Sequence, residues 1–299
     1  MTLAAAATVL QGTLRGADAE FSGVSTDTRT LCLGDLFVAL AGPRFDGHEC
    51  VAAAAAKGAV GALVSRAPGA DIATVQVADT HLALGQLGAH WRRQFQIPVI
   101  AVTGSNGKTT VKNMIAAILG ERGPTLATQG NLNNDIGVPL TLLRLKSGDR
   151  YAVIEMGMNH PGEIDYLTRL ARPTIALINN AAAAHLAGLG SVEAVARAKG
   201  EIYAGLGNND IAIVNADDDH AGLWRELAAP HRVISFGLDR PADVHAEYAL
   251  DAGGSTIHLK TQHGGITMRL SLLGRHNVLN ALAAGSAALA AGASLADIQ

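Results

Sequence analysis

Residues 103–110, TGSNGKTT, separate an apolar run, IPVIAV, from a run with helical spacing, VKNMIAAIL. In a glycine-rich turn, successive backbone N–H groups form a concave anion site. The N-terminus of the following helix adds partial positive charge. Gly104 and Gly107 let the backbone close on a phosphate, with Ser105 and Asn106 between them. Lys108 supplies a point charge for β- and γ-phosphates, the Thr109 hydroxyl suits Mg2+, and Thr110 continues the first helical turn. The expected chemistry is binding of a nucleoside triphosphate. Val102 stands where the longer form of this loop has glycine, so the pattern is the shorter G-x-x-G-K-T. The competing reading is a strand–helix turn whose lysine is merely solvated.

A second candidate follows from its place on a strand. Glu155 sits near the end of the apolar segment YAVIEM, residues 151–156. Ligands bind at the carboxyl edge of parallel sheets, and a carboxylate is a hard oxygen donor suited to Mg2+. A glutamate that caps the next turn is the alternative. His185 follows another apolar strand, TIALIN, and a lone histidine is more often structural than a ligand. Lys199, in AKGEIY, falls on an expected helix, where lysine is ordinarily solvated or snorkels.

Such groups need a scaffold that gathers strand ends. From about residue 97 the chain alternates apolar strands with helical segments: PVIAVT, YAVIEM, TIALIN, DIAIVN and RVISFG. Near-continuous apolar strands between helices predict a parallel sheet covered on both faces. Residues 242–273 change to short alternating strands, expected as hairpins at a sheet edge. RHNVLNALAAGSAALAAG predicts a final long helix, and SLADIQ after it has the pattern of another helix start, so the ending looks cut. Residues 1–88 read as a smaller α/β unit, with strands in DLFVAL, AVGALVS and ATVQVA and a glycine-stopped helix in ECVAAAAAKG. The expected fold class is α/β, with a small N-terminal domain at 1–88 and a P-loop domain at 89–299.

Composition narrows the function classes. A chain of 299 residues, 48% hydrophobic and 16% charged, has enough apolar content for about two cored domains and is not a disordered chain. A net charge of −3 gives no sign of a general nucleic-acid binder. Cys32 and Cys50 offer neither a disulfide framework nor metal spacing and are expected as buried or idle thiols in a reducing compartment. MTLAAAATVLQG lacks a basic residue ahead of its apolar run and reads as a first helix rather than a secretion signal. No charge-free stretch reaches membrane-spanning length, so a cytoplasmic protein is expected.

Four further segments, GNLNNDIGVPLTLL, EMGMNHPGEI, NNAAAAHLAGLGS and AKGEIY, resemble the Mur ligases of peptidoglycan synthesis in order and spacing. GRHNVLNALAA extends the likeness, and STDTRTLCLGDLFVALAGPRFDGHE resembles the family's UDP-recognising N-terminal domain. Within the family, NLNNDIGVPLTLL is most like the members that add D-Ala-D-Ala to UDP-MurNAc-tripeptide. The resemblance implies an ATP- and Mg2+-dependent, monomeric, cytoplasmic amide ligase of cell-wall biogenesis. It also implies three domains, of which the C-terminal one, closing over the nucleotide, has no counterpart in these 299 residues.

The implied reaction starts when a donor carboxylate attacks the γ-phosphate to give an acyl phosphate. The D-Ala-D-Ala amine then displaces phosphate. The resemblance implies metal ligation by Thr109, Glu155 and His185, and by Lys199 once CO2 has made its amine a carbamate. Lys108, Lys199 and His185 are thus the expected catalytic groups. Asn180, His276 and Asn277 are candidates for the adenine, although the asparagines of RHNVLN could equally cap a helix. Asn133 and Asn134 are candidates for the γ-phosphate or donor sugar, or else plain turn residues. For the UDP moiety the candidates are Ser25, Asp27 and Arg29 in STDTR, and Arg44, Asp46 and His48 in RFDGH. Asp27 and Arg29 could equally form a structural ion pair. The rival functions are another Mur-type or folylpolyglutamate-type amide ligase, and a fragment that binds nucleotide without catalysis.

Overall fold

The computed structural model describes residues 1–43, 45–183 and 190–299. The chain divides into two compact units, Met1–Phe95 with Pro139–Arg144, and Gln96–Val138 with Leu145–Gln299.

The first unit contains α1 (Leu3–Leu10), β1 (Thr13–Arg15), β2 (Gly23–Ser25), β3 (Asp35–Val38), β4 (Ala41–Gly42), β5 (Phe45–Asp46), α2 (Val51–Ala56), β6 (Gly61–Val64), β7 (Thr74–Gln76) and α3 (Thr80–Arg92). Thr2 caps α1 by accepting from the Ala5 N–H, so the N-terminal apolar run begins as a capped helix. Among the described residues five strands form a sheet in the order β1-β7-β6-β3-β2, with only β1 antiparallel to its neighbour. Strands β3 and β6 are buried throughout, as their unbroken apolar runs require. Their side chains Phe37, Ala62 and Val64 pack with Val51 and Ala54 of α2. Asp79 caps α3, whose buried Leu84 and Leu87 carry it through residue 88, the division anticipated from sequence; the unit's first segment ends at Phe95. Cys32 and Cys50, expected as buried or idle thiols, are both free and exposed: Cys32 lies in the loop before β3, and Cys50 ends the 3-10 turn that leads into α2.

The second unit runs through β8 (Val99–Thr103), α4 (Lys108–Gly120), β9 (Thr125–Ala127), the first two residues of α5 (Gly137–Leu142, which from Pro139 belongs to the first unit), β10 (Tyr151–Glu155), α6 (Glu163–Ala171), β11 (Ile175–Ile178), α7 (Val192–Gly200), β12 (Ile211–Asn215), α8 (Ala221–Leu227), β13 (Arg232–Gly237), β14 (Val244–Asp251), β15 (Gly254–Thr261), β16 (Gly264–Leu270), α9 (Arg275–Ala290) and α10 (Leu295–Ile298). Its sheet has the order β16-β15-β14-β13-β12-β11-β8-β10-β9 among the described residues. Pairing is parallel from β9 to β14 and antiparallel in the two hairpins beyond. The strand order reverses at β8, which lies between β10 and β11. A crevice opens at such a switch point, outside the carboxyl ends of the strands.

Strands β8 and β10 are buried on both faces. Val111, Ile115 and Leu119 of α4 and Val278 and Leu282 of α9 join their core. The alanine-rich face of α9, including Ala281, Ala284 and Ala288, is buried in that same core, so the alanine bias serves close helix packing. Among the described residues no helix is long and apolar enough to cross a membrane.

Candidate active site

Strand β8 delivers the glycine-rich turn to the switch point, and α4 starts at Lys108. Gly107 has φ +76, and a Cβ there would lie 2.6 Å from Asn280 Oδ1 and 2.7 Å from Asn179 Nδ2. Glycine is required at this position by both backbone sign and space. The turn is laced to the end of β11. The Ser105 N–H donates to Asn180 O at 3.0 Å, and the Ser105 hydroxyl to Ala182 O at 3.2 Å. The Asn180 amide spans the Asn106 backbone, accepting its N–H at 2.9 Å and donating to its carbonyl at 3.1 Å. Lys108 Nζ folds over the loop and donates to Gly104 O at 2.7 Å. Burial lowers its ammonium below the usual lysine value, and the charge of Glu155 offsets part of that shift.

Glu155 ends β10 on the other side of β8 and is 2% exposed. Its Oε2 accepts from the Thr109 hydroxyl at 3.0 Å and its Oε1 from Asn133 Nδ2 at 2.8 Å. Its backbone N–H donates to the buried Thr128 hydroxyl at 2.9 Å. Asn133 is therefore placed on Glu155. Asn134 caps the short α5, its Oδ1 accepting from the Gly137 N–H at 2.9 Å.

Lys199 stands in the last turn of α7, which Ser191 caps, and is 2% exposed. Burial first, and then the charge of Lys108, lowers its ammonium from 10.5 to about 7. His185 lies outside the described residues.

At the start of α9, Asn277 Nδ2 donates to Leu273 O at 2.9 Å, and its Oδ1 accepts from Asn280 Nδ2 at 3.1 Å. His276 is exposed beside it. Asn280 Oδ1 in turn accepts from Asn179 Nδ2 at 2.9 Å, and Asn179 also donates to Asn106 O at 3.0 Å. This amide chain ties α9 to the phosphate loop.

In the first unit Ser25 accepts from the Asp27 N–H at 3.2 Å, and Asp27 pairs with the Arg29 guanidinium at 2.6 Å. That pairing, with the Arg29 N–H, holds the Asp27 carboxyl down at about 2. Asp46 Oδ1 accepts from the His48 N–H at 2.9 Å and lies 2.6 Å from its Nδ1. His48 Nε2 accepts from the Ser65 N–H at 3.0 Å, and Arg66 binds the other Asp46 oxygen. Ser65, His48 and Asp46 superficially resemble a hydrolytic triad. The Ser65 N–H already occupies the lone pair that would take the hydroxyl proton, so the arrangement is a loop clasp. Arg44 lies outside the described residues.

The Mur ligase middle-domain profile matches residues 102–288, and the profile of the Mur ligase family catalytic domain matches residues 20–92. The chain belongs to the Mur ligase family. It is 47% identical, over its whole length, to 67% of the UDP-N-acetylmuramoyl-tripeptide–D-alanyl-D-alanine ligase of Escherichia coli K12. With the enzyme of that name from Bacillus subtilis it is 40% identical, covering 96% of this chain and 62% of the relative. Among solved structures, MurF from Acinetobacter baumannii superposes with a TM-score of 0.92 at 45% identity, covering 98% of this chain and 65% of that one. A MurF ligase from Thermotoga maritima in complex with ADP gives 0.79 at 27% identity, covering 92% and 65%. The chain spans about two thirds of the length of these relatives.

For a Mur ligase, a magnesium site must be built from hard oxygen donors. Thr109 Oγ1 and Glu155 Oε2 are such a pair, 3.0 Å apart at the N-terminus of α4. Among the described residues no cluster of three His, Cys, Asp or Glu side chains could hold a metal alone. A threonine hydroxyl beside a carboxylate fits Mg2+, which keeps waters and takes further oxygens from substrate phosphates. Sequence reasoning missed Lys112, Thr128, Asn179 and Asn280. Asn277 and Asn280 are one helical turn apart, as are Lys108 and Lys112, so periodicity could have flagged two of them. Thr128 and Asn179 act through contacts between distant strand ends and carried no local signal.

Proposed function

We propose that the chain performs ATP-dependent amide ligation, joining D-Ala-D-Ala to UDP-MurNAc-tripeptide in peptidoglycan precursor synthesis in the cytoplasm. The observation that carries this reading is the pairing of a phosphate loop and buried Glu155 with a buried lysine, Lys199, held near neutrality. A plain nucleotide-binding turn has no use for that second lysine.

A carboxylate is a poor acyl donor because oxide is a poor leaving group. Transfer of the γ-phosphoryl group to a carboxylate oxygen, with loss of ADP, converts it to an acyl phosphate. The amine of D-Ala-D-Ala then forms the C–N bond, loses a proton, and phosphate departs. The two anions that must meet repel one another. Lys108 and the N-terminal N–H groups of α4 offset that charge. Bound Mg2+, held by Thr109 and Glu155, supplies further neutralisation of the phosphate oxygens. Burial lowers the Lys199 ammonium to about 7, which favours the free amine, the form that adds CO2 to give a carbamate and release a proton. The product is an anionic oxygen ligand from a residue that starts as a cation. In the first unit, Ser25–Asp27–Arg29 and Asp46–His48 are the groups assigned to the UDP moiety. Arg29 leaves Asp27 for the diphosphate in this reading.

The test uses UDP-MurNAc-tripeptide labelled with 18O in its terminal carboxylate, with ATP, Mg2+ and D-Ala-D-Ala. Ligated product with one 18O in the released phosphate is expected. Product without label transfer would rule out the acyl phosphate. ADP binding with no product would mark the chain as a nucleotide-binding piece of a ligase.

A further inference from the structure

One buried cation has no part in the chemistry above. Lys112 lies on the inner face of α4, one turn beyond Lys108, and is 3% exposed. Its Nζ donates to Thr128 O at 2.7 Å and stands 4.0 Å from Glu155 Oε2. Thr128 serves both groups, since its hydroxyl accepts the Glu155 N–H at 2.9 Å. Lysine is almost never buried this far without a charge to answer. Here the answering charge is the carboxylate assigned to the metal.

We propose that Lys112 is a positioning residue that occupies Glu155 electrostatically, so that the divalent cation enters with the nucleotide and not before it. This inference rests on the reading of Thr109 and Glu155 as the metal pair. Glu155 accepts the Thr109 hydroxyl, and it faces two lysines, Lys112 at 4.0 Å and Lys108 through its charge. A dication approaching that set meets net positive charge. Glu155 and Lys112 are both buried, so solvent screens their charges less than it would at the surface. A triphosphate reverses the sign by bringing several negative charges to the loop, and the site then accepts the dication readily. The Thr128 bridge makes the arrangement rigid: the carbonyl that anchors the ammonium and the hydroxyl that anchors the Glu155 backbone belong to one buried residue. Lys112 therefore also holds the carboxylate against the first turn of α4, where the Thr109 hydroxyl donates to it.

The test is Mn2+ binding followed by electron paramagnetic resonance, with and without ADP, readouts independent of turnover. Wild type is expected to bind Mn2+ only weakly without nucleotide and well with ADP. Lys112→Met is expected to bind nucleotide-free Mn2+ at least about tenfold more tightly than wild type, while with ADP the two differ by less than about threefold. Lys112→Arg, which keeps the charge, should behave as wild type. Lys112→Met combined with Glu155→Gln should lose the gained site. A merely structural lysine would weaken binding in both conditions when removed, the opposite pattern. Should Lys112→Met fail to fold, Lys112→Gln retains a donor for Thr128 O and serves in its place. Two results overturn the proposal alone: a folded charge-removed variant with no gain in nucleotide-free Mn2+ binding, or a wild type that binds Mn2+ through Glu155 equally well with and without ADP. A wild type that binds no ADP in the presence of Mn2+ removes the phosphate-site reading itself, and the role of Lys112 with it.

Discussion

The phosphate loop and the Ser25–Arg29 segment both carry groups expected to meet phosphates, and they are held in opposite ways. Around the loop, Glu155, Lys112, Lys199, Asn179 and Asn280 are buried, and their partners come from the ends of different strands and from two helices. Arg29, by contrast, has 86% of its side chain exposed and binds a carboxylate two residues away. A site built from distant strand ends is fixed by the fold before any ligand arrives. The Ser25–Arg29 segment is held by short-range pairs and by Lys57 Nζ, which donates to Thr28 O at 2.7 Å, and its exposed Asp27–Arg29 pair is one a ligand can replace. The same difference sets what mutation should do: chemistry should fail in the first case and recognition in the second.

The largest effect expected is on catalysis. Lys108→Ala removes the loop's point charge, and Lys199→Ala removes the near-neutral amine. Each should lower the ligation rate by about 10³-fold, in the range seen when one preorganised charge-stabilising group is lost. Circular dichroism should show both variants folded. Activity within tenfold of wild type for Lys199→Ala would mean that its burial is a packing feature only. Next in size is Gly107→Ala. With φ +76 and a Cβ 2.6 Å from Asn280 Oδ1, the variant must strain its backbone and displace the amide chain. A loss of about 1–3 kcal/mol in stability is expected, together with weaker ADP binding by calorimetry. Unchanged ADP affinity would show that the chain from Asn179 to Asn280 does not hold the loop in its binding shape.

The third effect is a pH dependence that only the buried site should show. Lys199 titrates at about 7 in the folded protein against 10.5 for an ordinary lysine. Between these values the unfolded chain binds the extra proton, so stability rises with pH across that window and the contribution is flat below it. Lys108, also shifted downward, adds in the same direction. Urea midpoints at pH 7 and pH 9 should rise for wild type, and the rise should shrink in Lys199→Met. An equal rise in both proteins would place the shift elsewhere.

How far these sites were legible in the sequence follows the same division. Alternating apolar strands and helices gave the parallel sheet, the edge hairpins and the long final helix, because each is a local periodic pattern. TGSNGKTT and the strand position of Glu155 were legible for the same reason. The partners that tune them were not: Thr128 meets Glu155 across 27 residues, and Asn179 meets Asn280 across 101. Periodicity carries no information on which strand ends become neighbours. Asn180 illustrates the cost. As a lone amide it suited a base edge; in the fold one of its N–H groups and its oxygen also hold the Asn106 backbone, a contact across 74 residues that no local pattern announces. The cysteines show the converse, since residue type left burial and idleness both open, and only their places in a loop and a 3-10 turn decide that both are exposed.

The smallest structural effect is expected at Arg29, where the comparison can be tested most directly. Its pair with Asp27 is surface-exposed, and such pairs add little to stability because water and salt screen them and both side chains lose freedom. Arg29→Ala should therefore leave the melting temperature within about 1 °C of wild type. The Asp27 carboxyl, held at about 2 chiefly by Arg29, should move back toward the ordinary aspartate value, observable by NMR titration of its carboxyl carbon. Binding of UDP-MurNAc-tripeptide should weaken about tenfold if the guanidinium exchanges Asp27 for the diphosphate. Asp27→Asn separates the two roles. It frees Arg29 from its carboxylate and should weaken donor binding less than Arg29→Ala does. Equal loss of binding in both variants, with a falling melting temperature, would show that the pair shapes the loop and that this segment is as preorganised as the phosphate site.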